Sequence, residues 1–324
     1  MIIDKRLISE IDQKKERLSR NPDYQDSVRH RYFTCLAQEA NNNSSLLEIT
    51  QSNTGKYNCK NKRLELEGKI KENQERLGKA WAYGTINYSE PYNVDFMVHL
   101  ASFTEPSING LRTENVRITG AKHMLPPRYE KIPKQLFSLL EEVYQGKNHP
   151  VENAALLHFH IARIHPFIDG NGRTARLMQN LHLQHYGYPP VIIENGERHH
   201  YIDLIDEAVS GYYGKDIESM SNAERIFYNY IGSKVNASFD KIQERMDDTK
   251  AAYTLEISAK NVRYAAYSLK EQLKSYFRKR DIIGSVRLSN EGRSLEVVAG
   301  VPEKLIRTIA DANEYIRSYK ISSK

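Results

Sequence analysis

Between His165 and Arg176 the chain reads His-Pro-Phe-Ile-Asp-Gly-Asn-Gly-Arg-Thr-Ala-Arg. Each polar type in this run has a chemical use. His165 can take a proton from a hydroxyl near neutral pH. Asp169 is a hard oxygen ligand suited to Mg²⁺ that phosphates already hold. Asn171 offers an uncharged donor to a phosphoryl oxygen whose charge grows in the transition state. Gly170 and Gly172 allow positive φ and, lacking Cβ atoms, let a phosphate approach the main chain. Arg173 and Arg176 lie three apart, so on a helix both guanidinium groups can converge on one polyphosphate. Together the parts describe attack by a hydroxyl on a nucleotide phosphate.

The flanking sequence has to position them. Upstream, Ala154, Leu157, Ile161 and Ile164 recur at helical spacing, and downstream Leu177, Leu181 and Leu183 fall in a run free of Pro and Gly from Thr174 to Tyr186. The Gly-Asn-Gly at 170–172 is therefore expected where one helix stops and the next begins. A helix N-terminus behind glycine-rich backbone is an anion site before any side chain is counted.

This run resembles the signature of the Fic family, HxFx(D/E)GNGRxxR, with every specified position present. The resemblance, which covers roughly Ser44 to Ala208, implies a mainly α fold, a Fic-type helical bundle with a β-hairpin flap; the residue pattern after it adds a small α+β C-terminal unit. It implies an adenylyltransferase that moves AMP from ATP, with Mg²⁺, to a Ser, Thr or Tyr hydroxyl of a protein. In that reading His165 is the general base, Asn171 and Arg173 assist, and Asp169 is the metal ligand. Gly170, Asn171, Gly172, Arg173 and Arg176 would bind phosphate, and Phe167 would anchor the loop. The related Doc phosphotransferases replace the second glycine, so Gly172 favours nucleotidyl transfer.

Two further stretches resemble family elements. Many Fic proteins carry an inhibitory helix, (S/T)xxxE(G/N), whose glutamate pairs with the second signature arginine. Ser44 to Glu48 fits it, with Ile49 where Gly or Asn is usual, and implies a Glu48–Arg176 ion pair that blocks productive ATP binding. On the residues alone, Ser44 or Ser45 would cap a short helix after the polar break Asn41-Asn42-Asn43. The stretch Arg112 to Pro127, with alternating Val116 and Ile118 and a Thr119-Gly120 turn, is expected to be a hairpin. It resembles the family flap that pairs with a protein substrate. Beyond the signature, Gly187-Tyr188-Pro189-Pro190, Arg198 and Tyr201 match the region that often flanks the nucleobase, whereas Ile202 replaces a second tyrosine.

The remaining chain reads as helices at 3–20, 27–40, 61–77, 93–101 and 134–144, then a largely helical stretch from Ser221 to Tyr253. After it come strand, helix, strand, strand and a closing helix from Pro302 to Tyr319. Three regions are expected: 1–90 with an inhibitory segment at 44–50, a catalytic core at 91–232, and a linker with a small domain at 233–324.

The chain has 324 residues, 40% hydrophobic and 27% charged, which suits a globular protein. No apolar run reaches the roughly 20 residues that span a bilayer, and the N-terminus lacks a signal-peptide core. Two cysteines, Cys35 and Cys59, do not make a disulfide framework, and a reducing cytoplasm is the simplest compartment. From Asp240 onward 17 Lys and Arg face 12 Asp and Glu. That surplus admits nucleic acid or an acidic partner, although a solvated face explains it equally. Three alternatives therefore stay open. They are AMP removal with Glu48 positioning water, transfer from another nucleotide or phosphodiester donor, and a nucleotide sensor whose C-terminal unit binds DNA or a partner. Tyrosine is abundant, 21 residues against one tryptophan, so exposed tyrosines are candidate sites of self-modification. Relatives in the family often dimerise, but no segment of the sequence localises such an interface.

Overall fold

The computed structural model describes residues 2–21, 24, 26–48, 60–89, 93–118, 121–145, 147–213, 220–248, 252–279, 284–289, 292–299 and 303–323. Ile49, Thr50, Cys59, the Thr119-Gly120 turn, Asn290-Glu291, Arg280, Ile282 and Pro302 lie outside those residues. The chain forms two compact units, Met1–Phe239 and Asp240–Lys324.

The first unit is helical: α1 (Lys5–Ser19), α2 (Asp26–Leu47), α3 (Lys60–Asn87), α4 (Val94–Thr104), α5 (Ile132–Gln145), α6 (Pro150–Ile164), α7 (Asn171–His185), α8 (Arg198–Tyr213) and the start of α9 (Asn222–Asp248). At its centre α6 and α7 pack on each other, and α7 also meets α2, α3 and α4. Both central helices are buried almost all round; α6 is largely apolar, whereas α7 buries Arg173, Arg176, Gln179 and Asn180 along with its leucines. Helix α6 starts on a capping box: His149 Nδ1 accepts from the Val151 amide at 3.2 Å, and Glu152 Oε2 accepts from the His149 amide at 3.0 Å. Pro150 occupies the first turn, where its missing N–H costs nothing. The other Glu152 oxygen accepts from the Ile3 amide at 3.0 Å, which ties the N-terminal strand of chain to the core. Close approach of α3 to α7 depends on Gly84, where a Cβ would lie 2.4 Å from Leu181 Cδ1.

Two expectations for this unit fail. No break separates Asn41–Asn43 from Ser44: α2 runs unbroken from Asp26 to Leu47, so Ser44 is a helix-interior residue and not an N-cap. Asparagine is a weak helix former, but packing of α2 against α3 and α7 overrides it. Helix-compatible bonds absorb the polar side chains, with Asn43 Nδ2 donating to Glu39 O and Ser45 Oγ to Asn41 O, both at 3.0 Å. The second failure is the hairpin. The described residues of 112–127 form no strand and run as an irregular loop.

The second unit contains β1 (Ala252–Ser258), α10 (Val262–Lys279), β2 (Gly284–Ser289), β3 (Ser294–Ala299), α11 (Glu303–Asp311) and β4 (Ser318–Ser323). The closing helix is shorter than expected. It stops at Asp311, and residues 318–323 return as a strand. Its sheet order is β2-β3-β1-β4, antiparallel throughout, which is the split βαβ arrangement. Leu255, Leu295 and Val297 point into a core shared with Leu269, Leu273 and Ile306. The alternate positions carry Glu256 opposite Lys320 and Glu296 opposite Arg287, so charge pairs cover the other face. Among the described residues no helix is long and apolar enough to cross a membrane.

Replacing Leu255, fully buried in the central strand, with alanine should destabilise this unit by about 2–5 kcal/mol. Denaturant unfolding followed by hydrogen exchange in β1 and β3 measures it.

Candidate active site

Helix α6 ends at His165, the one described residue other than glycine with positive φ (φ 53°, ψ 59°). A β-carbon in this left-handed region is disfavoured, so the surroundings must hold it there. Arg112 does much of this. Its amide donates to Pro166 O and its Nε to His165 O, at 2.9 and 2.8 Å. Its two Nη atoms donate to Glu114 O and Pro127 O, each at 2.6 Å. One buried guanidinium thus pins both ends of the 112–127 loop to the backbone of the histidine. Asp206 secures the middle of that loop, its carboxylate accepting from the amides of Lys122, His123 and Met124 at 2.7–3.2 Å.

The His165 ring is fixed by Nδ1, which lies 3.3 Å from Ala162 O. Donation there requires the proton on Nδ1 and leaves Nε2 as the acceptor, the tautomer a base needs. Burial pushes the imidazole pKa below its ordinary value, and Arg112 adds to this against the opposing pull of the Ala162 carbonyl, Asp169 and Glu48.

The loop then turns into α7 through Gly170 (φ 74°), the residue before the helix. Gly172 differs from expectation: it lies inside the helix without positive φ, and its value is space. A Cβ there would come within 3.1 Å of Glu48 Oε1 and 3.2 Å of Arg176 Nη1. Phe167 is fully buried and anchors the loop. Asn171 braces it, accepting from the Phe167 amide and donating to the Phe167 carbonyl, both at 2.9 Å. One of its two Nδ2 hydrogens and its Oδ1 are therefore engaged by the loop.

Arg173 is buried, with Nη1 donating to Thr104 O and Nη2 3.6 Å from both Glu105 and Asp169. Its buried Nε has no partner among the described residues, which leaves an unused donor beside the helix N-terminus. Asp169 is exposed at the lip of the loop and accepts from the Gly170 amide. One outward carboxylate next to an anion site fits a Mg²⁺ ion that completes its shell with phosphate oxygens and water. It does not fit a metal held by protein alone, and no cluster of three acidic, His or Cys side chains occurs among the described residues.

Arg176 is surrounded. Nε donates to Ser44 Oγ at 2.8 Å, Nη2 to Glu48 Oε1 at 2.6 Å and to Ser44 O at 3.3 Å, and Nη1 to Tyr201 Oη at 3.4 Å. Burial alone would lower its pKa, but Tyr201 and Glu48 together hold it above the ordinary value. The Tyr201 hydroxyl lies between Arg176 and His158 Nε2 (2.8 Å), so this side chain supports the arginine and is not an open wall for a base. His158 meets Gln179 on its other nitrogen at 2.6 Å, and burial lowers its pKa to about 3, keeping it neutral. Arg198 was noted only as a match, yet its Nε donates to Leu47 O at 2.7 Å and holds the end of α2. The Asn195 amide donates to Asn43 Oδ1 at 3.0 Å beside it.

A histidine on a strained loop, a helix N-terminus with two arginines and a glutamate just past the end of α2 against the second arginine make up the site. Residues 95–183 match the Fic/DOC family model, and the chain carries a Fic domain. It is 28% identical over 226 residues to a protein adenylyltransferase Fic of Nematostella vectensis, covering 64% of this chain and 52% of the relative. It is 30% identical over 220 residues to one of Aedes aegypti, covering 64% and 44%. The chain thus spans about half the length of these curated relatives. Among solved structures, a Fic domain containing signaling protein from Bacteroides thetaiotaomicron has the same fold (TM-score 0.56, 23% identity, 72% of this chain and 95% of that one). So does a Fic family protein from Desulfovibrio desulfuricans (TM-score 0.52, 16% identity, 92% and 96%).

Asp206→Ala should cost about 1–3 kcal/mol locally by orphaning three amides, and exchange at residues 122–124 should accelerate while α6 and α7 stay protected. Because burial lowers the His165 pKa, the base stays neutral to lower pH than a free imidazole. The acid limb of a pH–rate profile should therefore fall below about pH 6.5, and a limb at or above it contradicts this environment.

Proposed function

We propose that this chain transfers AMP from ATP to a hydroxyl side chain of a protein, itself included, and that Glu48 restrains the reaction. The observation that carries the reading is the His165 ring, with its acceptor nitrogen free, beside the α7 N-terminus and two arginines. His165 Nε2 takes the proton as the target oxygen forms a bond to the α-phosphorus. The bond from that phosphorus to the β-phosphate oxygen breaks, and pyrophosphate leaves. Arg173 and the α7 amides offset the charge that grows on the phosphates. Mg²⁺, held by Asp169 and phosphate oxygens, would supply further charge neutralisation there.

Regulation follows from Arg176. While Glu48 and Ser44 occupy its guanidinium, the arginine cannot also clamp a terminal phosphate, and ATP is left without a productive pose. The curated relatives are named as protein adenylyltransferases, which supports a protein acceptor aligned along the 112–127 loop.

The test is incorporation of α-labelled ATP into protein with Mg²⁺. Glu48→Gly should raise labelling well above wild type, and His165→Ala in that background should remove it by a factor of about 10² or more. Equal labelling of wild type and Glu48→Gly would leave the transferase but remove the restraint. Absence of label from every variant would overturn the AMP-transfer reading.

A further inference from the structure

Beside the 112–127 loop lies a groove that the proposed chemistry leaves unused. It consists of two adjoining cavities of about 480 and 460 Å³ that share Lys131 and Gln135. Lys122, Arg128, Lys131, Lys134 and Arg163 line it, and Glu142 is the one carboxylate among its described lining residues. A concave wall in which five cationic side chains face one carboxylate concentrates anions. The N-terminus of α5, at Lys131 and Ile132, adds its positive dipole end to the same place.

Arg163 is built in, not merely present on the surface. It is 4% exposed and stacks on the Tyr212 ring at 4.2 Å. Its Nη1 donates to Gln135 Oε1 and to Tyr213 Oη, both at 3.2 Å. Lys131 and Lys134 are exposed and free to move onto a ligand. At the loop end, Leu125 (67% exposed) and Tyr213 (49% exposed) offer an apolar ledge, joined by a bond from Tyr213 Oη to Leu125 O at 3.4 Å.

We infer that this groove holds an acidic segment of the protein acceptor, with an apolar side chain against Leu125 and Tyr213 and carboxylates over Lys131, Lys134 and Arg163. This rests on the proposed function, because one wall of the groove is the loop that would align the acceptor hydroxyl. A segment held there is continuous with that loop. The groove would thus supply selectivity at a distance from the reacting atoms, through charge and encounter rate.

The test uses the full chain without nucleotide and a fluorescein-labelled, glutamate-rich octapeptide containing one leucine, followed by anisotropy at low and high salt. Binding should weaken with salt and fall by about tenfold or more in Lys131→Glu/Lys134→Glu. It should stay near wild type in Lys260→Glu/Lys304→Glu, which carries the same charge change in the second unit. All four lysines are exposed, and unchanged melting of both variants checks that folding is intact. No binding by wild type, equal loss in both variants, or binding indifferent to Lys131→Glu/Lys134→Glu would overturn the groove. Peptide binding with no label transfer by any variant in the α-labelled ATP assay, Glu48→Gly included, would keep the groove and sink the transferase reading, and transfer by Glu48→Gly without peptide binding would do the reverse.

Discussion

A guanidinium buried inside a helical bundle has to be matched by acceptors, because an unpaired charge there is costly. Arg176 meets this requirement with partners from two other helices: Ser44 and Glu48 at and beyond the end of α2, and Tyr201 on α8. Much of the surrounding architecture serves that arrangement. Helix α2 must run without a break to deliver Ser44, and Arg198 must hold its last carbonyl. His158 must stay neutral to fix Tyr201. Gly172 leaves the space in which Glu48 meets Arg176, and a Cβ there would crowd both side-chain ends. If the same arginine receives phosphate, as we propose, the contact that satisfies the resting fold competes with the ligand. Glu48 is about one-third exposed, which keeps that pair weaker than a fully buried one and open to exchange.

His165 illustrates a second constraint. A left-handed residue at a helix end is strained unless the backbone around it is over-determined. Arg112 supplies this from one side and Asn171 with Phe167 from the other. Because Arg112 also closes the neighbouring loop, the base and the element proposed to align its substrate share one support.

The signature was legible in the sequence because its residues act locally: helix stop, glycine turn, helix start and two arginines on one turn. The Glu48 pairing was legible only by resemblance, since 128 residues separate the partners and no local pattern links them. What sequence reasoning missed was mostly long-range. The bracing of the loop by Asn171 through Phe167 depends on the fold of the loop and has no local sequence signal. The Asn41–Asn43 break failed because packing outweighed propensity. The hairpin at 112–127 failed because alternation in Val116 and Ile118 is too short to dictate pairing when Arg112 and Asp206 offer the backbone other partners. In the second unit the pattern gave strands and helices nearly in full. The last strand was lost because Ser318–Ser323 has few apolar residues and gains its pairing only from β1.

The central claim is that Glu48 and phosphate compete for Arg176. Calorimetric titration of ATP with Mg²⁺ into wild type, Glu48→Gly and Glu48→Gly/Arg176→Ala addresses it without requiring turnover. The account predicts ATP affinity higher in Glu48→Gly than in wild type by about tenfold or more, with the gain lost in the double variant. Equal affinity in wild type and Glu48→Gly, or a gain that survives removal of Arg176, would contradict it.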